Sequence, residues 1–315
     1  MANLNKIRGN YIKHVSTDTN VTCLVNSEIV YNTTTCNLKS IIFGASWTAG
    51  GAMGTARRAL AGAGASNTAA LAFGGIFPAV TCTESYNGST WTAGGAMGTA
   101  RYGLAGAGTN TAALAFGGVA APYNVTCTES YNGSTWTAGG AMPTARSYLA
   151  GAGINTSALA FGGNGPSACT VSYNGSTWTA GGALGTARHI LAGAGASSTA
   201  ALAFGGYSTV TFAGTESYNG TSWSAGGAMA TARGILAGAG TNTAALGFGG
   251  YVTAVVACTE SYNGSAWSAG GAMGTARRAL AGAGTNTAAL AFGGCTTVSV
   301  VCTESYSFGK ICKNF

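Results

Sequence analysis

The stretch Ser85-Tyr86-Asn87-Gly88-Ser89-Thr90-Trp91-Thr92-Ala93-Gly94-Gly95-Ala96-Met97-Gly98-Thr99-Ala100-Arg101, closed by Ala113-Leu114-Ala115-Phe116-Gly117-Gly118, decides the fold, because the chain repeats it. Tryptophans stand at Trp47, Trp91, Trp136, Trp178, Trp223 and Trp267, at intervals of 44, 45, 42, 45 and 44 residues. Ten residues after each comes an arginine: Arg57, Arg101, Arg146, Arg188, Arg233 and Arg277. Phe73, Phe116, Phe161, Phe204, Phe248 and Phe292 each precede a glycine pair. A period in the forties made of short strand-like pieces is the mark of a propeller blade.

One unit shows how the pieces become strands. Ala59-Leu60-Ala61-Gly62-Ala63 is small and apolar, suited to an innermost strand crowded against an axis. Ala70-Leu71-Ala72-Phe73 is a second apolar run, stopped by Gly74-Gly75. Thr81-Cys82-Thr83-Glu84-Ser85-Tyr86 alternates as a half-buried strand does. Asn87-Gly88 is a strong hairpin signal, since both residues tolerate positive φ, and a fourth strand begins at Thr90-Trp91. The expected fold is therefore all-β, with six four-stranded antiparallel blades. The unit from Arg277 reaches Thr303-Glu304-Ser305-Tyr306 but has no Trp, whereas Ser46-Trp47-Thr48 stands alone near the other end. The N-terminal strand is thus expected to complete the last blade, which removes exposed edges.

The glycine pair, the third-strand Tyr and the Trp five residues later resemble the kelch repeat of β-propellers, over residues 46–306. The expected organisation is a leader (1–45), the propeller (46–308) and a short tail (309–315). For the leader two readings stand side by side: an extra strand on the closing blade, or an attachment segment for a larger assembly. Its Ile29-Val30-Tyr31-Asn32-Thr33-Thr34-Thr35, set before near-identical Ala/Gly-rich units, resembles virion structural proteins of tailed, chiefly marine, bacteriophages. That resemblance implies a tail-fibre or tail-tip protein that contacts the host. It further implies a place in the virion, synthesis in the host cytoplasm, and other virion proteins as partners of residues 1–45.

Composition narrows the classes. Only 7% of the 315 residues are charged and 47% are hydrophobic, which with the strict period argues against disorder despite 53 glycines. No apolar run is long enough for a membrane span, and the first residues show no signal-peptide h-region. Five of the nine cysteines (Cys82, Cys127, Cys169, Cys258, Cys302) share one repeat position and are expected to be buried thiols, too far apart for disulfides. Two histidines and no Cys-x-x-Cys make a metal site an unfavoured reading, and no cofactor is expected.

Six units in one chain allow variation to be read internally. The Tyr-Asn-Gly hairpins barely change, whereas the segments after each Phe-Gly-Gly and just after each repeated arginine change almost completely. In a four-stranded meander these two variable segments emerge on the same face. There they place Arg58, Phe77, Tyr102, Tyr123, Asn124, Tyr148, His189, Tyr207, Tyr251 and Arg278. Drift in unconstrained loops also produces variation. Aromatic and cationic enrichment favours a binding face, since such residues combine contact area with hydrogen bonding.

The repeated Glu84, Glu129, Glu216, Glu260 and Glu304 are copies of one position, expected to pair with the repeated arginines. They are not the two unlike carboxylates that a glycosidase needs, and no enzyme is expected. Blade three carries Val171 in that slot, which makes Arg146 the candidate free cation, expected among the ligand-binding residues of the variable face. The net charge of +7 suits an anionic cell surface. The lysines lie outside the blades, so nucleic acid is not an expected partner. The expected function is recognition of a host-surface glycan or protein. The alternatives are a non-catalytic structural or decorative virion subunit, or a bacterial surface adhesin or lectin, with homo-oligomerisation open.

Overall fold

The computed structural model describes residues 12–15, 29–32, 37–76 and 78–314. They belong to two compact units, residues 46–307 and residues 1–45 with 308–315. In the smaller unit Ile12–Val15 pairs in parallel with Ile29–Asn32, which pairs antiparallel with the first residues of Asn37–Ala49. The C-terminal residues expected as a separate tail belong to this unit.

The larger unit is a six-bladed β-propeller of four-stranded antiparallel blades. In the first blade Ala61–Ser66 is innermost, followed outward by Ala69–Phe73, Thr83–Tyr86 and Trp91–Ala93. The innermost strands of the other blades are Ala105–Gly108, Ala150–Ile154, Ala192–Ser197, Ala237–Gly240 and Ala281–Gly284. Their glycines are dictated by close approach. A Cβ on Gly106 would stand 2.6 Å from the carbonyl oxygen of Gly62 and 2.7 Å from Phe73 Cζ. The same contact passes from blade to blade around the axis, ending with Gly62 against Gly282. Small residues let six backbones converge, and each neighbouring Phe ring fills the space that a side chain would have taken.

The tryptophans join the blades. Trp136 lies 5.0 Å from Tyr131 of its own blade and 5.0 Å from Phe73 of the preceding one. Its Nε1 donates to Thr83 Oγ1 at 2.9 Å, which satisfies an indole N–H that packing has taken from water. Trp47 repeats this geometry without a complete blade of its own. It packs against Phe248 and Tyr306, and its Nε1 donates to Thr259 Oγ1 at 3.0 Å. The strand at Ser46-Trp47-Thr48 therefore completes the blade of Ala281–Gly284, Ala288–Phe292 and Thr303–Tyr306, as the sequence implies.

The five repeated cysteines correct an expectation. Cys169 and Cys258 are exposed and Cys82, Cys127 and Cys302 half-buried, all as free thiols. What the position supplies is its backbone carbonyl, which accepts a hydrogen bond from the repeated arginine. Gly214 does the same for Arg188 in the fourth blade, at 2.8 Å, so no side chain is required there.

Candidate functional site

Antiparallel pairing sends both variable segments of every blade to one end of the propeller and the Asn-Gly hairpins to the other. At the variable end the segments bridge one another: Arg58 with Ile76, Tyr102 with Val119, His189 with Tyr207, Gly234 with Tyr251, and Arg278 with Cys295. Inside these bridges runs a closed ring of backbone hydrogen bonds. The N–H of Gly103 donates to Ala59 O, Tyr148 to Gly103, Ile190 to Tyr148, Ile235 to Ile190, Ala279 to Ile235, and Ala59 to Ala279, at 2.7–3.0 Å.

Every ring residue is left-handed, with φ between 49° and 59°. Five of the six carry side chains, for which this conformation costs about 1–2 kcal/mol each. Such strain persists only where the surroundings impose it, and it clusters at functional sites. Here the ring bonds impose it. Just below, Leu60, Leu104, Leu149, Leu191, Leu236 and Leu280 are buried around the axis.

Above the ring lies a vestibule of about 360 Å³, lined among others by Arg58, Tyr102, Tyr148, Ile190, Ile235 and Arg278. Arg58 and Arg278 come from adjacent blades across the closing seam. Neither forms an ion pair among the described residues: Arg58 Nη1 donates to Ser299 Oγ at 3.3 Å, and the Arg278 guanidinium lies 4.9 Å from the Tyr251 ring. Tyr102 and Tyr148 meet edge to face at 6.4 Å. Burial, with Tyr102 beside it, raises the Tyr148 phenol above its ordinary value against the opposing pull of Arg58, so it stays a neutral donor and acceptor at physiological pH. The Ala/Gly-lined opening at the other end of the axis carries no charged or aromatic lining residue.

Of the residues expected on the variable face, Arg58, Tyr102, Tyr148 and Arg278 meet in the vestibule, and Tyr251 stacks on the last of them. His189 and Tyr207 form a separate edge-to-face pair at 5.5 Å. Burial lowers the His189 pKa, so the imidazole is neutral at physiological pH. Tyr123 and Asn124 stand apart on a small hairpin with Val119–Ala120, Tyr123 being 74% exposed. Phe77 lies outside the described residues. Ile190 and Ile235 were not singled out from the sequence. Their signal was available, since they occupy the repeat position of Tyr148.

Arg146 requires a correction, for it is 3% exposed and not displayed on the face. The guanidinium is drawn inside by carbonyls: Nη1 donates to Gly162 O at 3.0 Å and to Cys169 O at 2.9 Å. Its five counterparts are also buried, and each forms an ion pair with the glutamate of its own blade at 2.8–3.1 Å. Burial lowers all six arginine pKa values, that of Arg188 to about 10, and in the five paired blades the carboxylate opposes the shift. These arginines hold blades together and are not offered to a ligand as a cationic ring.

No group of His, Cys, Asp and Glu suited to a metal ion occurs among the described residues, and no helix there is long and apolar enough to cross a membrane. No protein-family model matches the chain, and no curated protein is similar to it.

Proposed function

We propose that the propeller is a non-catalytic recognition module whose axial vestibule takes an acidic sugar of a host-cell surface glycan, and that it serves as a tail-fibre or tail-tip protein of a phage particle. The observation that carries the recognition reading is the contrast between the two ends of one axis. The variable end gathers two arginines without carboxylate partners among the described residues and two tyrosines, and the other end is lined by Ala and Gly. Unpaired guanidinium groups match a carboxylate or sulfate, while tyrosine faces and hydroxyls suit the body of a pyranose ring. The setting in a phage particle rests on the sequence resemblance.

The test is an array of acidic and neutral bacterial glycans, probed with the wild type and with an Arg58→Ala, Tyr102→Ala, Tyr148→Ala triple variant. All three side chains lie outside the Arg–Glu pairs, and the ring bonds at Tyr148 use only backbone. Binding to acidic glycans at least about tenfold weaker in the variant, a loss of about 1.4 kcal/mol, is the expected outcome. Equal binding by both proteins refutes the vestibule. Silence across the array leaves a structural virion subunit as the better reading.

A further inference from the structure

Blade three departs from its five siblings at two positions that are joined in every sibling. In the siblings the glutamate carboxylate faces arginine Nη2 with one oxygen as an ion pair at 2.8–3.1 Å. On the other it receives the backbone N–H of Gly54, Gly98, Gly185, Ala230 or Gly274, at 2.5–2.7 Å. Blade three has Val171 in place of the glutamate, and Pro143 in place of the N–H donor. Proline has no N–H, so acceptor and donor vanish together and no backbone group is orphaned.

The cation, however, remains. Arg146 Nη2 and Nε are buried without a hydrogen-bond partner among the described residues. Nε lacks one in the sibling arginines too, so what is peculiar to blade three is the bare Nη2. Valine carries no oxygen and reaches less far than glutamate, so nothing on Val171 answers it. A guanidinium does not escape by losing its proton, and a buried charge left uncompensated is strongly destabilising. The five siblings display the remedy, a negative oxygen seated on Nη2 in a spot where the glutamates are 3–7% exposed.

We infer that a small monovalent anion, a halide such as chloride, occupies this place in blade three, accepts from Arg146 Nη2 and balances its charge as the glutamate does in the other blades. The site is built from one orphaned donor and one missing carboxylate, and Arg146 does not line the vestibule, so it stands apart from the glycan-binding reading.

Two measurements test it. Crystals grown in sodium bromide should show an anomalous peak at hydrogen-bonding distance from Arg146 Nη2. Thermal melts at equal ionic strength should give a Tm several degrees higher in sodium chloride or bromide than in sodium gluconate, whose anion is too large for the site. A Pro143→Gly, Val171→Glu double variant restores the sibling arrangement and should lose that halide-specific increment. The double variant also controls for general salt effects. The inference is overturned if no peak appears at Arg146, if halide and gluconate give equal Tm values, or if the increment survives in the double variant, because the halide then acts elsewhere.

Discussion

Replacing Glu129 with valine tests the central structural claim, that five of the six blades are held by a buried ion pair. Glu129 Oε1 accepts from Arg101 Nη2 at 3.0 Å, and Oε2 accepts from Gly98 N–H at 2.6 Å. Arg101 is fully buried and Glu129 5% exposed, so water does not take over when the carboxylate is removed. Breaking one side of a buried pair costs about 3–5 kcal/mol, since it strands the partner charge. At about 2.1 cal/mol/K per residue, residues 46–307 have an unfolding entropy of about 0.55 kcal/mol/K, and the loss becomes a fall in Tm of about 5–9 °C. Calorimetry or circular dichroism measures it directly. Glu129→Gln, which keeps the shape and loses the charge, should fall between. If Glu129→Val melts within about 2 °C of the wild type, the buried guanidinium needs no counter-charge and the reasoning fails.

Two further outcomes are expected. Trp47→Ala should cost about 3–5 kcal/mol, as should Trp136→Ala, because both indoles bridge two blades with the same contacts; a markedly smaller loss at Trp47, by chemical denaturation, would contradict its role in closing the propeller. For His189 the folded pKa lies below the ordinary 6.5, so between the two values the unfolded chain holds more protons and stability rises with pH. Acidification from about pH 7 to about pH 5 should therefore lower the Tm of the wild type more than that of His189→Gln, and parallel pH profiles would refute it.

Much of this molecule was legible because it is written six times. The period set the blade, the Asn-Gly pairs set the hairpins, and a Trp missing at one end and present at the other set the closure. The glutamate–arginine pairing was legible for the same reason, since two opposite charges recurring in step have few other uses. Even the coupled change in blade three can be read off once the siblings are aligned, as Pro143 and Val171 occupy the donor and acceptor positions.

Other features came only from three dimensions. The cysteines look like core residues in a β-alternating run, yet the arginines use only their carbonyls and leave the thiols half-exposed or exposed. Arg146 reads as a free surface cation beside variable loops, yet backbone carbonyls hold it inside the blade. The vestibule was least legible of all. It is made from residues far apart in the chain, Arg58 and Arg278 among them at 220 positions, brought together by a ring of backbone hydrogen bonds that leaves no mark on side-chain chemistry. Sequence by itself determined the repeat, the strands and the pairs within a blade, because local periodicity and charge fix those. The tertiary structure alone decided which variable residues meet, because closing six blades about one axis forces one end of each into a common mouth.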